Sequence, residues 1–126
     1  MSKFRTMAAC LSMAAGFAVA APIPAAVAAP AATGYNRCGS GQFCLFQHVD
    51  GQGGYVALTG STPSLVGLNF NDIASSVRNN TGATWSVYTD INYGGRCLTI
   101  SHNYTGNLTQ YAGMNDSVSS ARPGGC

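Results

Sequence analysis

The chain contains no glutamate, and its one lysine, Lys3, lies at the extreme N-terminus. Without glutamate the H-E-x-x-H helix of a zinc peptidase cannot be written. No C-x-x-C spacing and no histidine pair supports a zinc site of another kind. His48 and His102 are isolated, one in an expected hairpin and one in an expected loop, with no neighbour to orient either ring as a catalytic base. No segment carries a sustained apolar stripe at helical spacing, so a helical bundle is excluded. Charge is scarce at 8% of residues, and its placement is informative. Beyond the N-terminal segment, Arg37, Arg78, Arg96 and Arg122 face Asp50, Asp72, Asp90 and Asp116. A net charge near zero argues against nucleic acid as a partner.

What is present begins with a leader. Lys3 and Arg5 precede an uncharged, alanine-rich apolar run from Met7 to Ala21, followed by small-residue sites ending at Ala20 and Ala28. This is the layout of a secretory signal peptide over 1–28, cleaved after Ala20 or Ala28. The run is too short and wrongly flanked for a membrane anchor, and Pro22, Pro24 and Pro30 interrupt any helical continuation. Residues 29–37 are expected to be a short linker and 38–126 one small domain. A domain of about 100 residues buries roughly 65% of its unfolded surface, so its stability is marginal without help. A secreted monomer with no membrane contact is expected.

Removing the leader removes Cys10 and leaves Cys38, Cys44, Cys97 and Cys126. An even cysteine count in an exported chain of this size reads as two disulfides, which also leaves no thiolate nucleophile. Four cysteines allow three pairings, and spacing does not choose among them. The pairing expected is Cys38–Cys44, closing a short loop, with Cys97–Cys126 tying down the C-terminus.

The most informative feature is an internal repeat. Phe43–Leu58 lies over Trp85–Ile100 without a gap, at an offset of 42 residues (85 − 43). Phe43 meets Trp85, Leu45 meets Val87, Phe46 meets Tyr88, and Val56 and Leu58 meet Leu98 and Ile100. Both segments alternate apolar and polar at the strand period around a glycine-bearing turn. Each therefore predicts a β-hairpin. A second match follows: FNDIASSVR at Phe70–Arg78 and MNDSVSSAR at Met114–Arg122, identical at five of nine positions, at an offset of 44 (115 − 71). Two extra residues thus fall in the second copy's loop, within Ser101–Gly113. Four strands per copy, twice over, predict an antiparallel sandwich. Trp85, aligned with Phe43, is assigned to its core.

These residues carry a family resemblance. Tyr88-Thr-Asp-Ile-Asn-Tyr93-Gly94-Gly95 resembles the aromatic hairpin of βγ-crystallin Greek keys. Phe46–Gly53 is similar, with Gly51 replacing the second aromatic. The Asn71–Ser76 and Asn115–Ser120 hexapeptides resemble the calcium signature of microbial βγ-crystallins. With the early Cys38–Cys44 spacing, the pattern also resembles the secreted microbial metalloproteinase-inhibitor family of that fold. The resemblance covers 38–126 and implies an all-β, βγ-crystallin-like sandwich of two Greek-key motifs, one over about 42–80 and the other over about 84–126.

It also implies two Ca2+ sites, since calcium takes six to eight oxygens from carboxylates, carbonyls, hydroxyls and water. Asp72 and Ser75, with the Ile73 carbonyl, would ligate one ion. Asp116 and Ser119, with the Ser117 carbonyl, would ligate the other. Main-chain oxygens near His48 and Asp90, from the opposite copy's hairpin, would complete the sites, and Asn71 and Asn115 would orient the loops. Independently of the resemblance, all four carboxylates beyond the leader fall in these hexapeptides or hairpins. An Asp-x-x-Ser turn can also cap backbone amides with no metal present. The resemblance implies a non-enzymatic peptidase inhibitor whose partner is a secreted metallopeptidase; it assigns no contact loop, and the longer second-copy loop, Ser101–Gly113, bearing Tyr104 and Tyr111, is one candidate. The alternatives are a calcium-responsive structural module of the cell envelope and an antifungal or cell-wall-binding protein.

Overall fold

Period-2 alternation yields the two expected hairpins in the computed structural model, which describes residues 34–126. The expected signal peptide and residues 29–33 of the expected linker lie outside the described residues. In the first copy, β1 (Gln42–Phe46) pairs antiparallel with β2 (Tyr55–Leu58), Phe43 opposite Leu58 and Phe46 opposite Tyr55. In the second, β4 (Trp85–Tyr88) pairs with β5 (Cys97–Ile100), Trp85 opposite Ile100 and Tyr88 opposite Cys97. The two registers are the same at the repeat offset. Each hairpin tip turns through a short 3₁₀ segment holding two left-handed residues, Asp50 at φ 59° with Gly51 at φ 70° in one and Asn92 at φ 56° with Tyr93 at φ 62° in the other. Asp and Asn tolerate that region better than other side chains.

The hexapeptides lead into β3 (Ser76–Asn80) and β7 (Ser120–Pro123), which pair with the free edges of β1 and β4. A further strand, β6 (Thr105–Asn107), belongs to the second copy by sequence but pairs with β3 of the first. The sheets therefore run β2-β1-β3-β6 and β5-β4-β7. The reciprocal exchange is reduced to one bridge, Thr62 opposite Ala121. The first copy thus departs from the four strands expected of it. Pro63 follows directly, and a residue without an N–H cannot extend a ladder.

The inward residues of both sheets form one core that includes Phe43, Leu45, Val77, Trp85, Val87 and Ala121. Phe43 and Trp85, equivalent in the repeat, stack face to face with centroids 4.5 Å apart and planes at 6°. Burying one such side chain is worth about 2–3 kcal/mol, and an aromatic pair adds roughly 0.5–1.5 kcal/mol. The outer face of β1 is buried as well. Cys44 and Phe46 pack there with Cys38 and Tyr35 in a second, smaller cluster.

That cluster corrects the expected linker. Gly34–Arg37 is a 3₁₀ turn packed on the domain, with the Arg37 guanidinium donating to the Gly51 carbonyl at 2.7 Å. The folded unit begins at least as early as Gly34. Both expected disulfides are present, Cys38–Cys44 with Cα atoms 5.8 Å apart and Cys97–Cys126 with Cα atoms 5.9 Å apart. No helix among the described residues is long and apolar enough to cross a membrane.

Candidate functional site

The two Asn-Asp turns lie against each other. Asp72 and Asp116 both adopt left-handed backbone, at φ 57° and 54°. The Asp72 N–H donates to the Val118 carbonyl at 3.0 Å, and the Asp116 N–H donates to the Ala74 carbonyl at 2.9 Å. These reciprocal bonds clip one hexapeptide to the other across a pseudo-twofold axis.

The carboxylates follow the same exchange. Ser119 Oγ donates to Asp72 Oδ1 at 3.2 Å, and Ser75 Oγ donates to Asp116 Oδ1 at 2.9 Å. The Asp–Ser hydrogen bonds therefore cross between the hexapeptides, whereas the expected donor sets, Asp72 with Ser75 and Asp116 with Ser119, lie within them. The backbone supplies the reason. Asp72 is bonded to the residue directly before Ser119, and Asp116 to the residue directly before Ser75.

The second serine of each doublet fastens the site to its hairpin. Ser76 Oγ donates to the His48 carbonyl and Ser120 Oγ to the Asp90 carbonyl, both at 2.6 Å. The same hydroxyls accept the Gly51 N–H at 2.9 Å and the Tyr93 N–H at 3.0 Å. The first serines are held alongside, the Ser75 N–H on the Phe46 carbonyl and the Ser119 N–H on the Tyr88 carbonyl, both at 2.8 Å. One cluster thus gathers Ser75, Asp116 and the His48 hairpin. The other gathers Ser119, Asp72 and the Asp90 hairpin. Sequence reasoning assigned no role to Ser76 and Ser120, although the Ser-Ser doublet recurs in both copies.

Several oxygens around these turns have no partner among the described residues. The Ile73 and Ser117 carbonyls accept no hydrogen bond among the described residues. Asn71 Oδ1 and Asn115 Oδ1 are buried with no hydrogen-bond partner among the described residues, so the loop-orienting bonds expected of them are not made there through those atoms. Unpaired buried acceptors are uncommon and call for an explanation. Among the described residues no three His, Cys, Asp or Glu side chains come together. Each cluster offers one carboxylate with neutral oxygens, a donor set that suits a hard cation and not zinc.

The other singled-out residues serve elsewhere. Trp85 is core, and His102 is exposed. Tyr104 and Tyr111 are half-buried against the core and bonded hydroxyl to hydroxyl at 3.0 Å. Burial, and then the bond to Tyr111, pushes the Tyr104 phenol up to about 12. The aromatics of the expected contact loop are thus engaged inside the protein. Arg122 lies over Tyr93 at 4.4 Å and over Tyr88 at 5.3 Å, and its Nε donates to Tyr88 Oη at 3.1 Å. The hydrogen bond from Ser86, and secondarily Arg122, lowers the Tyr88 phenol below its ordinary range.

Two Greek keys clipped through crossed Asp–Ser turns make this a βγ-crystallin-like domain, and solved structures agree. A βγ-crystallin from Ciona intestinalis is 28% identical with a TM-score of 0.61, covering 67% of this chain and 100% of that one. An archaeal βγ-crystallin is 28% identical with a TM-score of 0.58, covering 68% of this chain and 99% of that one. The epidermal differentiation-specific protein of Cynops pyrrhogaster is 38% identical over 80 residues, 62% of this chain, and the match spans only 22% of that relative's length. Residues 31–100, more than half of the chain, match Peptidase inhibitor family I36. The chain belongs to that family, and it is a non-enzymatic protein with a crystallin fold.

Proposed function

We propose that the protein is a secreted, calcium-binding inhibitor of metallopeptidases. Membership of the inhibitor family carries the reading. Export is supported by the leader pattern of 1–28 and by two disulfides, which persist in oxidising compartments. A metallopeptidase target rests on the sequence resemblance to microbial metalloproteinase inhibitors. The framework suits inhibition because a preorganised surface loses little entropy on binding.

Calcium reading rests on the crossed turns. Two oxygens bound to one calcium at 2.3–2.6 Å, at roughly a right angle, stand about 3.3–3.7 Å apart. The Ser75–Asp116 and Ser119–Asp72 separations, 2.9 and 3.2 Å, fall slightly below that spacing, so each hydrogen-bonded pair would open by less than about 1 Å to admit the ion. Each serine would turn its proton away and present a lone pair. The unengaged Ile73 and Ser117 carbonyls and the Asn71 and Asn115 amide oxygens are further acceptors on the same turns. With one carboxylate per site, affinity in the ~10⁻⁴ M range of extracellular modules is expected.

The test is an inhibition assay of the mature protein against a thermolysin-type metallopeptidase and a trypsin-type serine peptidase, with and without millimolar calcium. Inhibition of the metallopeptidase alone is the expected result. Inhibition only of the serine enzyme would move the target class, and inhibition of neither would remove the inhibitor reading.

A further inference from the structure

The pseudo-twofold axis allows each exposed residue to be compared with its counterpart in the other copy. After β2, the first copy runs through Thr62–Phe70 to its hexapeptide; after β5, the second runs through β6 and Leu108–Met114. The loops share one anchor. Leu65 and Leu108 are fully buried, and their N–H groups donate to the Ser119 and Ser75 carbonyls, both at 2.8 Å. They share one turn, with the Leu68 N–H on the Leu65 carbonyl at 3.1 Å and the Tyr111 N–H on the Leu108 carbonyl at 3.0 Å. Val66, Gly67 and Leu68 therefore correspond to Thr109, Gln110 and Tyr111.

The side chains at these matched positions differ. In the second copy Thr109 and Gln110 are polar, and Tyr111 folds onto Tyr104. In the first copy Val66 is 57% exposed and Leu68 is 47% exposed. The turn does not require exposed aliphatic residues there, because the equivalent turn forms with polar Thr109 and with Tyr111 packed against the core. The loop is also stiff: the Thr62–Ala121 bridge holds one end, buried Phe70 holds the other, and Ser64 Oγ accepts the Val66 N–H at 3.2 Å. Beside it, the second hairpin tip is docked through the Asn92 N–H on the Pro63 carbonyl at 2.7 Å, and the adjacent Ile91 is 48% exposed. The stretch matched to the inhibitor family, 31–100, contains this loop and ends before Ser101–Gly113.

We infer that the Val66-Gly67-Leu68 turn is the peptidase contact, inserting its two aliphatic side chains into the apolar subsite of the enzyme's cleft. This rests on the inhibitor reading above, and it replaces the Tyr104–Tyr111 loop as the contact. Buried anchors carry most interface energy when they fill a desolvated pocket, and an ordered turn presents them at little entropic cost. The near-zero net charge of the domain, four Arg against four Asp, fits an apolar contact better than an electrostatically steered one.

The experiment compares the inhibition constant of wild-type mature protein with those of two charge-matched variants, against the same two-enzyme panel. V66D/L68D is expected to weaken inhibition by about 100-fold or more, whereas T109D/Q110D, on the equivalent turn, is expected to change it by less than about 3-fold. V66S/L68S, which adds no charge, should show the same loss at a smaller size, with thermal unfolding of every variant confirming that the fold is retained. Full inhibition by both Val66/Leu68 variants would overturn this contact while leaving the inhibitor reading intact. Loss through T109D/Q110D instead would return the contact to the second-copy loop. Wild-type protein inactive against both enzymes would overturn both statements.

Discussion

The Tyr35 ring stands beside Gly51, where the second copy carries Tyr93. Tyr35 meets Phe46 edge-on with centroids 5.4 Å apart, and Tyr93 meets Tyr88, the counterpart of Phe46, at 5.7 Å. Both turn positions are left-handed, Gly51 at φ 70° and Tyr93 at φ 62°. A non-glycine residue there costs roughly 1–2 kcal/mol. The first copy avoids that cost with glycine and takes the missing aromatic from the N-terminal turn. A Cβ at Gly51 would lie 2.6 Å from the Tyr35 nitrogen, so the exchange is enforced in both directions. Arg37, beside it, lies over Tyr55 at 4.7 Å much as Arg122 lies over Tyr93 at 4.4 Å.

Tyr35→Ala should therefore lower stability by about 2 kcal/mol, the loss of a half-buried aromatic and its edge contact. Gly51→Ala should cost at least as much, through positive φ and the clash with Tyr35. Urea denaturation of each variant checks this. A Tyr35→Ala variant as stable as wild type would mean that the N-terminal turn contributes nothing.

Crossed donor pairs make a pattern of calcium loss that donor sets within one hexapeptide would not. Asp116→Ala and Ser75→Ala should abolish the same site, as should Asp72→Ala and Ser119→Ala. Calorimetric titration of Asp116→Ala/Ser75→Ala should then show one ion bound, and Asp116→Ala/Ser119→Ala none. At one hundred times the dissociation constant each site adds about 2.7 kcal/mol. A melting curve indifferent to millimolar calcium would leave the turns as plain backbone caps.

Alkaline pH should weaken the domain through Tyr104. Its phenol is raised from 10.0 to about 12 in the fold, so the folded state holds the neutral form that the unfolded chain gives up earlier. The contribution is complete below pH 10 and is lost as pH rises from 10 toward 12. Tyr104→Phe should flatten that part of the stability profile. Tyrosinate absorbance of the folded protein should show a phenol titrating well after the exposed ones.

The C-terminal disulfide closes a long loop, with 29 residues of separation between Cys97 and Cys126. Closure entropy for a loop of that length is worth about 3.5 kcal/mol. Cys97→Ala/Cys126→Ala should lower unfolding free energy by about that amount in urea. A loss below about 1 kcal/mol would show that the C-terminus is already held by β7.

Much of this protein was written locally. Alternating residues within Phe43–Leu58 and Trp85–Ile100, with glycine and Asp or Asn at the tips, specify two hairpins, because strand period and turn chemistry act over a few residues. The repeated N-D-x-x-S-S likewise announced two equivalent turns, since the same residues at matching distances after equivalent hairpins fold alike. What self-alignment could not say is which copy a side chain would face. Asp72 reaches Ser119 and Asp116 reaches Ser75 only because the copies close around a twofold axis, joining residues 47 and 41 positions apart. The exchange of β6, the loan of Tyr35 to the first hairpin, and the exposure of Val66 beside the burial of Leu65 arise the same way. Each depends on contacts distant in sequence, and those are set by how the two sheets pack, not by local propensity.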